Sequence, residues 1–157
     1  MFEINTNPTL DHLAKVLAWL YQEQVESDEG FFCNRNVIIS CFEESHAQCV
    51  IEDGQPVAFA VYSSSEISAE ISILEVKPSH RGKGLGVALA NSLIDNFFLK
   101  GSKYIEVECI PETSEPFWRK QGFQTYIDPR NYRDEYDPVQ LRLYIGYRPG
   151  PRSGGGA

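Results

Sequence analysis

The chain has 157 residues, 42% of them hydrophobic and 23% charged, and its formal net charge is −8 at pH 7. This length predicts one domain with its own core, at residues 1–148, followed by a flexible glycine-rich tail at residues 149–157. The acidic charge argues against a partner held by phosphate neutralisation, so we expect no nucleic-acid partner. Because no apolar run is long enough to span a membrane and no leader pattern is visible, we expect no membrane partner and a cytoplasmic location.

Four cysteines are present, and their spacing is not that of a metal site. They are Cys33, Cys41, Cys49 and Cys109. No CxxC pair occurs, and no histidines lie at zinc-finger spacing from them. We therefore predict four free, buried thiols and no metal ion.

The first third of the chain predicts a short strand and two helices. Residues 1–5 form the strand, and Asn7 and Pro8 are typical of a helix cap and first helical position. The apolar positions of this helix recur every three or four residues, at Leu10, Leu13, Val16, Leu17 and Leu20. A second helix is predicted from residue 34 or 35 to residue 45, after the adjacent aromatics Phe31 and Phe32.

The remainder predicts a sheet with one helical crossover. A hairpin joins residues 48–52 and 56–63 through the turn Asp53-Gly54. Further strands are predicted at residues 104–109, from Phe123 to about Ile127, and at residues 140–147. The polar segment at residues 128–138 lies between the last two.

Residues 70–101 combine a buried strand, a glycine-rich turn and an amphipathic helix. The turn is Arg81-Gly82-Lys83-Gly84-Leu85-Gly86, and the helix ends before Gly101. The first N–H groups of a helix lack internal partners and its dipole favours negative charge there, while glycines let the backbone approach a ligand. Since Arg81 and Lys83 add mobile positive charge, the turn is a natural site for a pyrophosphate.

This turn matches neither of the two common nucleotide loops. The P-loop pattern GxxxxGK[ST] is absent, and the GxGxxG fingerprint fails because Val87 occupies its last glycine position. The turn instead resembles the [Q/R]-x-x-G-x-[G/A] signature of the GNAT family of acyl-CoA-dependent N-acyltransferases. The preceding Val76-Lys77-Pro78 also resembles that family.

A second stretch, at residues 105–123, resembles the fifth strand and fourth helix of GNAT proteins, with Phe117, Trp118, Gly122 and Phe123 at its close. The resemblance covers roughly residues 48–128 and implies an α/β (α+β) fold. We therefore expect a single GNAT-like domain with a mixed central sheet of about six to seven strands flanked by about four helices.

The resemblance implies acetyl-CoA as the acyl donor and a small-molecule or peptide amine as the acceptor. It also allows a homodimer. The pantetheine arm would pair with the strand at Leu74 to Val76, and a backbone N–H near Leu74 or Glu75 would polarise the thioester carbonyl. The residues that this resemblance assigns to the donor are Leu74, Val76, Arg81, Gly82, Lys83, Gly84, Leu85 and Gly86.

Two carboxylates on the central strand are candidate catalytic bases. Glu70 falls near the position where some family members carry a general-base glutamate, and Glu75 is predicted nearer the thioester. Strand alternation places these two on opposite faces unless a bulge changes the phase. Glu106 and Glu108, which share a face of the neighbouring strand, are further candidates.

The chain departs from the family pattern at the acid. The tyrosine that protonates the leaving thiolate aligns with Trp118, whose indole N–H is no usable acid. The asparagine that follows the fifth strand aligns with Pro111. Tyr104, Ser114, Tyr126 or water could substitute. These departures leave a second hypothesis open: an acyl-CoA-binding regulatory module with little or no turnover.

Overall fold

The computed structural model describes residues 1–126 and 137–146, and within these it contains six strands and four α-helices. This confirms the predicted α/β (α+β) class and the predicted number of elements. In chain order the elements are β1 (Phe2–Asn5), α1 (Leu10–Ser27), α2 (Arg35–Glu43), β2 (Ala47–Glu52), β3 (Gln55–Ser64), β4 (Ser68–Val76), α3 (Leu85–Leu99), β5 (Tyr104–Glu108), α4 (Glu115–Lys120) and β6 (Gln140–Tyr144).

The sheet is mixed, with the strands in sequential order from β1 to β6. Strands β1, β2 and β3 form an antiparallel series, and β5 pairs antiparallel with β6. Strand β4 pairs parallel with β5, as predicted for two strands joined through helix α3. This ladder runs from Ser68 opposite Tyr104 to Ile71 opposite Val107, and β4 continues beyond it to Val76.

The described chain groups into two compact units, the first made of residues 1–63 and 72–93. In this unit an apolar cluster joins α1 and α2 to β2, β3 and Ile73 of β4. Its buried members include Val16, Trp19, Leu20, Ile38, Phe42, Phe59 and Val61. The indole N–H of Trp19 is not left unpaired, because it donates to the carbonyl of Pro56 at 3.0 Å.

The second unit contains residues 64–71 and the described residues from 94 onward. Its buried side chains include Ile105 and Val107 of β5, Leu141 of β6, and Trp118. Trp118 stacks edge-on against both Phe117 and Phe123, with ring centroids 4.9 Å and 5.3 Å away. The alternation of buried and outward residues on β5 leaves Tyr104, Glu106 and Glu108 on the opposite face.

Helix α1 begins two residues later than the sequence suggested. Thr9 is its N-cap, and the Thr9 side chain accepts from the backbone N–H of His12 while the His12 ring accepts from the Thr9 N–H. The prediction of Asn7 as the cap is therefore wrong, because this reciprocal pair satisfies two of the free N–H groups. Leu10, predicted on the apolar face, is consequently exposed in the first turn.

Three further expectations change or lie outside the described residues. After Phe123 the chain forms a single bridge, Gln124 with Arg142, instead of a strand, and Ile127 lies outside the described residues. So do most of the segment at residues 128–138, the tail at residues 149–157 and the proposed boundary before it. All four cysteines are free, but Cys33 is exposed and Cys41 is half-buried, so only two match the expected burial.

None of the helices described in residues 1–126 and 137–146 is long and apolar enough to cross a membrane.

Candidate functional site

The glycine-rich turn leads directly into helix α3. Gly82 and Gly84 have φ values of +82° and +79°, in the left-handed region that favours glycine. A Cβ built on either residue meets no atom of the described residues within 4 Å, so both face open space in that part of the chain. Leu85, the first helical residue, is buried and fixes the start of α3. The first N–H groups of α3, which cannot be paired within the helix, therefore lie beside an open, glycine-lined surface that suits an anion.

Arg81, at the start of this turn, is held in place by its own side-chain bonds. Its Nε donates to the carbonyl of Val76 at 2.9 Å, and its Nη2 donates to Glu23 Oε2 at 2.9 Å and Glu75 Oε2 at 3.4 Å. The expectation that Arg81 supplies mobile charge is therefore wrong. Lys83, two residues later, is exposed, as expected for a mobile cation.

The two carboxyl groups that hold Arg81 are buried. The side chains of Glu23 and Glu75 are each 5% exposed, whereas that of Arg81 is 49% exposed. Burial, together with the adjacent Glu23, raises the pKa of Glu75 to about 9, although Arg81 opposes this. At neutral pH the group therefore carries one proton on the carboxyl pair, because two buried carboxylates facing one arginine would leave an uncompensated charge.

The segment between α1 and α2 closes over this group. Gly30 has φ +88°, and a Cβ added to it would overlap Glu23 Oε1, so a larger residue would have to displace that carboxylate. The backbone N–H of Phe31 bonds to Glu75, which lowers the pKa of that carboxyl against the larger raising effects. One oxygen of each carboxyl, Oε1, has no other hydrogen-bond partner in the described part of the chain. A proton shared within the pair supplies the missing donor.

Sequence reasoning missed Glu23. Its polar neighbours hid it, because Gln22, Gln24 and Glu26 made the end of α1 look solvated. The available signal was its spacing: Glu23 follows Val16 by seven residues and Leu20 by three, which places it on the apolar stripe of α1.

Strand β4 places its two glutamates on opposite faces, as predicted. Its burial alternates without interruption, with Ala69, Ile71, Ile73 and Glu75 on the buried face. The other face carries Glu70, Ser72, Leu74 and Val76. Glu70 therefore shares a face with Leu74 and Val76, the residues predicted to run beside the donor, and Glu75 does not.

Glu70 belongs to a charged row that crosses three strands of the second unit. In the ladder register Glu70 lies opposite Glu106, and Glu106 lies opposite Arg142. Arg142 Nη2 donates to Glu106 Oε2 at 3.0 Å. Partial burial raises the pKa of Glu70, and the charges of Glu108 and Glu106 raise it further. A raised pKa brings this carboxylate closer to the range in which a general base is effective.

Three tyrosines surround Arg142. Its guanidinium carbon lies 4.0 Å from the ring centroid of Tyr104 and 3.9 Å from that of Tyr126, and Nη1 bonds to the Tyr144 hydroxyl at 3.1 Å. These cation–π contacts and the ion pair fix its position. Sequence reasoning missed Arg142 because its partners depend on strand register, which no local pattern of β6 revealed.

The residues suggested as replacement acids lie in different surroundings. The Tyr126 hydroxyl donates to Glu106 Oε2 at 2.9 Å. Burial raises the pKa of Tyr126, and the Glu106 carboxylate raises it further. The ring of Tyr104 stacks against Arg142. The hydroxyl of Ser114 is buried and has no partner in the described chain. Trp118, which the sequence resemblance aligned with the usual acid, is 5% exposed and packs in the core.

No cluster of three or more metal-ligating side chains occurs among the residues that the structure describes.

Comparison with known proteins identifies the family and agrees with the fold. Residues 13–123 match the family model described as Acetyltransferase (GNAT) family. No curated protein matches the sequence. Among solved structures, the PaiA N-acetyltransferase from Thermoplasma acidophilum in complex with coenzyme A has a TM-score of 0.70 at 15% identity, covering 92% of this chain and 99% of its own.

Two further structures have the same fold with different named activities. The ribosomal-protein-S18-alanine N-acetyltransferase from Escherichia coli has a TM-score of 0.66 at 19% identity, covering 94% of this chain and 96% of its own. The N-acetylglutamate synthase from Neisseria gonorrhoeae, complexed with coenzyme A and N-acetyl-glutamate, has a TM-score of 0.68 at 16% identity and covers 92% of this chain and 35% of its own.

The chain belongs to the GNAT acetyltransferase family, since the family model spans most of the sequence and the fold agrees with it. It is an acyltransferase by class, and the predicted family is confirmed.

Proposed function

We propose that this protein transfers an acetyl group from acetyl-CoA to a primary amine by direct attack of the amine on the thioester. The observation that carries the proposal is the turn at residues 81–86, where two left-handed glycines open the start of α3 to an anion. Coenzyme A bound to the PaiA protein and to N-acetylglutamate synthase supports the choice of donor.

In this proposal the donor is bound by the first unit. The N–H groups of Gly82, Gly84 and Gly86 bind the pyrophosphate, and Lys83 adds long-range attraction. The backbone of Leu74 and Val76 pairs with the pantetheine arm as an added strand would. A backbone N–H at Leu74 or Glu75 stabilises the charge that develops on the thioester oxygen.

We propose Glu70 as the general base. An alkylamine with a pKa of about 10.4 is mostly protonated at neutral pH, and it must lose a proton before it can attack the thioester. Glu70 shares its strand face with Leu74 and Val76, and its raised pKa favours proton acceptance. Glu75, the other predicted base, faces the apolar cluster and holds Arg81, so we assign it a supporting role.

The leaving thiolate has little need of an acid. A thiolate whose conjugate thiol has a pKa of about 8.5 leaves more readily than an alkoxide does. Ser114 is the preferred donor to this thiolate, because its buried hydroxyl has no partner in the described residues. Tyr126 is less suited because its proton is directed to Glu106.

The acceptor class is a primary amine on a small molecule or a peptide. Structures of similar fold carry names for both classes, an alanine of a ribosomal protein and glutamate. Three carboxylates at Glu70, Glu106 and Glu108 share one face of the second unit, which favours a cationic acceptor.

The runner-up is an acyl-CoA-binding regulatory module without turnover. It is motivated by Trp118, which occupies the usual acid position and is packed in the core. An acid is needed less for a thiolate than for other leaving groups, so we favour the enzyme.

The test is an acetyl-transfer assay with a panel of primary amines that includes amino acids, polyamines and short peptides. Release of free thiol and the acetylated amine are both measured, the latter by mass spectrometry. We expect product with at least one amine, and a rate lower by at least about 100-fold with Glu70→Gln at the same enzyme concentration. Binding of acetyl-CoA without transfer to any amine would support the regulatory module instead.

A further inference from the structure

A buried carboxylate on α1 has no role in the chemistry described above. Glu23 is 5% exposed and lies far along the sequence from the anion-binding turn, yet it makes the shortest charged contact to Arg81, at 2.9 Å. Burying a carboxylate is costly unless its charge is matched. Such a contact is weak evidence for a stabilising role, since replacing a buried ion pair by apolar residues of similar volume is often neutral or stabilising.

The contact fixes one edge of the Arg81 guanidinium. Nη2 is directed to the two carboxyl groups and Nε to the carbonyl of Val76, while half of the side chain remains exposed. An arginine held along one edge presents the rest of its planar fork in a single orientation. Since Gly82 and Gly84 follow directly, the same contacts also hold the entry to the turn.

We propose that Glu23 is a positioning residue for the acetyl-CoA site: it acts through Arg81 to hold the anion-binding turn in its binding conformation. The inference rests on the proposed function. It differs from a general packing role because its effect is transmitted through one side chain. Gly30 agrees with this role, because glycine leaves room for the Glu23 carboxylate, whereas a Cβ at that position would displace it.

A double-mutant cycle tests this path by calorimetric titration with acetyl-CoA. The proteins are the wild type, Glu23→Gln, Arg81→Gln and the double variant, each first checked for its thermal transition. We expect Glu23→Gln to weaken binding about fivefold and to have no further effect once Arg81 is glutamine. Glu26→Gln, which removes an exposed charge from the same helix, is the matched control and should bind as the wild type does.

Each outcome decides between the proposals. Unchanged or tighter binding by Glu23→Gln would overturn the positioning role while leaving the donor site intact. Equal losses in the wild-type and Arg81→Gln backgrounds would also overturn it, because Glu23 would then act without Arg81. Absence of binding by the wild type would overturn the proposed function itself, and the inference with it. Should Glu23→Gln not fold, Glu23→Asp, which keeps the charge but withdraws it from Arg81, replaces it and should weaken binding in the same way.

Discussion

Two arginine–carboxylate groups in this chain differ in which of the two charges is buried. In the first unit the carboxyls of Glu23 and Glu75 are 5% exposed and Arg81 is 49% exposed. In the second unit Arg142 is 17% exposed, while its partner Glu106 is 32% exposed. In each group the more buried charge holds a more exposed charge of opposite sign, and the exposed charge can contact a ligand.

The difference indicates what each group is suited to bind. The first presents positive charge beside a glycine-rich turn, which suits a pyrophosphate. The second presents carboxylates, with Glu70 in the same cross-strand row, which suits an amine. We therefore propose that the first group binds the donor and that the second activates the acceptor, so variants of the two groups should have separable effects.

The largest effect is expected from Glu70→Gln. Removing a general base typically lowers the chemical rate by about 10²–10⁴-fold, so we expect kcat to fall by at least about 100-fold. The affinity for acetyl-CoA should not change, because Glu70 belongs to the other group. Initial rates at saturating acetyl-CoA, with an amine that proved to be a substrate in the panel, measure kcat. Calorimetric titration measures the affinity for acetyl-CoA. Glu66→Gln, at an exposed neighbouring turn, is the control.

The next effect concerns folding stability and its dependence on pH. The pKa of Glu75 rises from its usual 4.5 to about 9 on folding, so the folded state binds a proton that the unfolded state releases. Stability should therefore be greatest below the unfolded value and fall as pH rises towards 9, by up to about 1.4 kcal/mol per pH unit for one proton.

Glu75→Gln is the variant that isolates this dependence. A glutamine resembles the protonated carboxyl and cannot ionise, so the free energy of unfolding should vary less between pH 6 and 8 than in the wild type. Urea unfolding at several pH values measures it. Glu26→Gln should keep the wild-type slope. An unchanged slope in Glu75→Gln would show that Glu75 is not the proton-binding group.

A smaller effect is expected from the second group. Arg142→Gln leaves Glu106 without its cation, and the loss of one charged hydrogen bond should cost about 1–3 kcal/mol of stability. The uncompensated carboxylate should also raise the pKa of Glu70, so the acid limb of the pH–rate profile should move to higher pH. Glu106→Gln should move the same limb to lower pH, because it removes a charge that raises that pKa. If the acid limb moved in the same direction in both variants, the proposed electrostatic coupling of Glu70, Glu106 and Arg142 would be contradicted.

The smallest effect is expected from Lys83→Gln. Lys83 is exposed and acts at long range, so acetyl-CoA binding should weaken only about two- to threefold at low salt. Titrations in low and high salt should show this difference disappearing as the ionic strength rises. A salt-independent loss would place Lys83 in direct contact with the donor instead.

The glycine-rich turn of the proposed donor site could be predicted from the sequence. The turn at residues 81–86 and its following helix are local features, set by glycine spacing and by the apolar stripe of α3. Strand alternation alone put Glu70 and Glu75 on opposite faces, and the structure agrees. Structural features that depend on consecutive residues could therefore be predicted.

What could not be predicted depends on contacts between distant segments. The partners of Arg81 and Arg142 are set by helix packing and by strand register, so a mobile Arg81 was expected where a fixed one exists. The start of α1 was misplaced because Asn7-Pro8 and Thr9 are both plausible helix starts, and only the pairing of Thr9 with His12 decides between them.

The most direct test of the account is calorimetric titration of acetyl-CoA into the wild type, Gly84→Asn and Gly84→Asp. Asparagine and aspartate both tolerate the left-handed conformation at Gly84, and they have nearly the same shape but differ in charge. We predict saturable binding by the wild type, weaker binding by Gly84→Asn and no measurable binding by Gly84→Asp, with all three proteins folded. Equal binding by the asparagine and aspartate variants would contradict an anion site at the start of α3, and the assignment of the donor would fall with it.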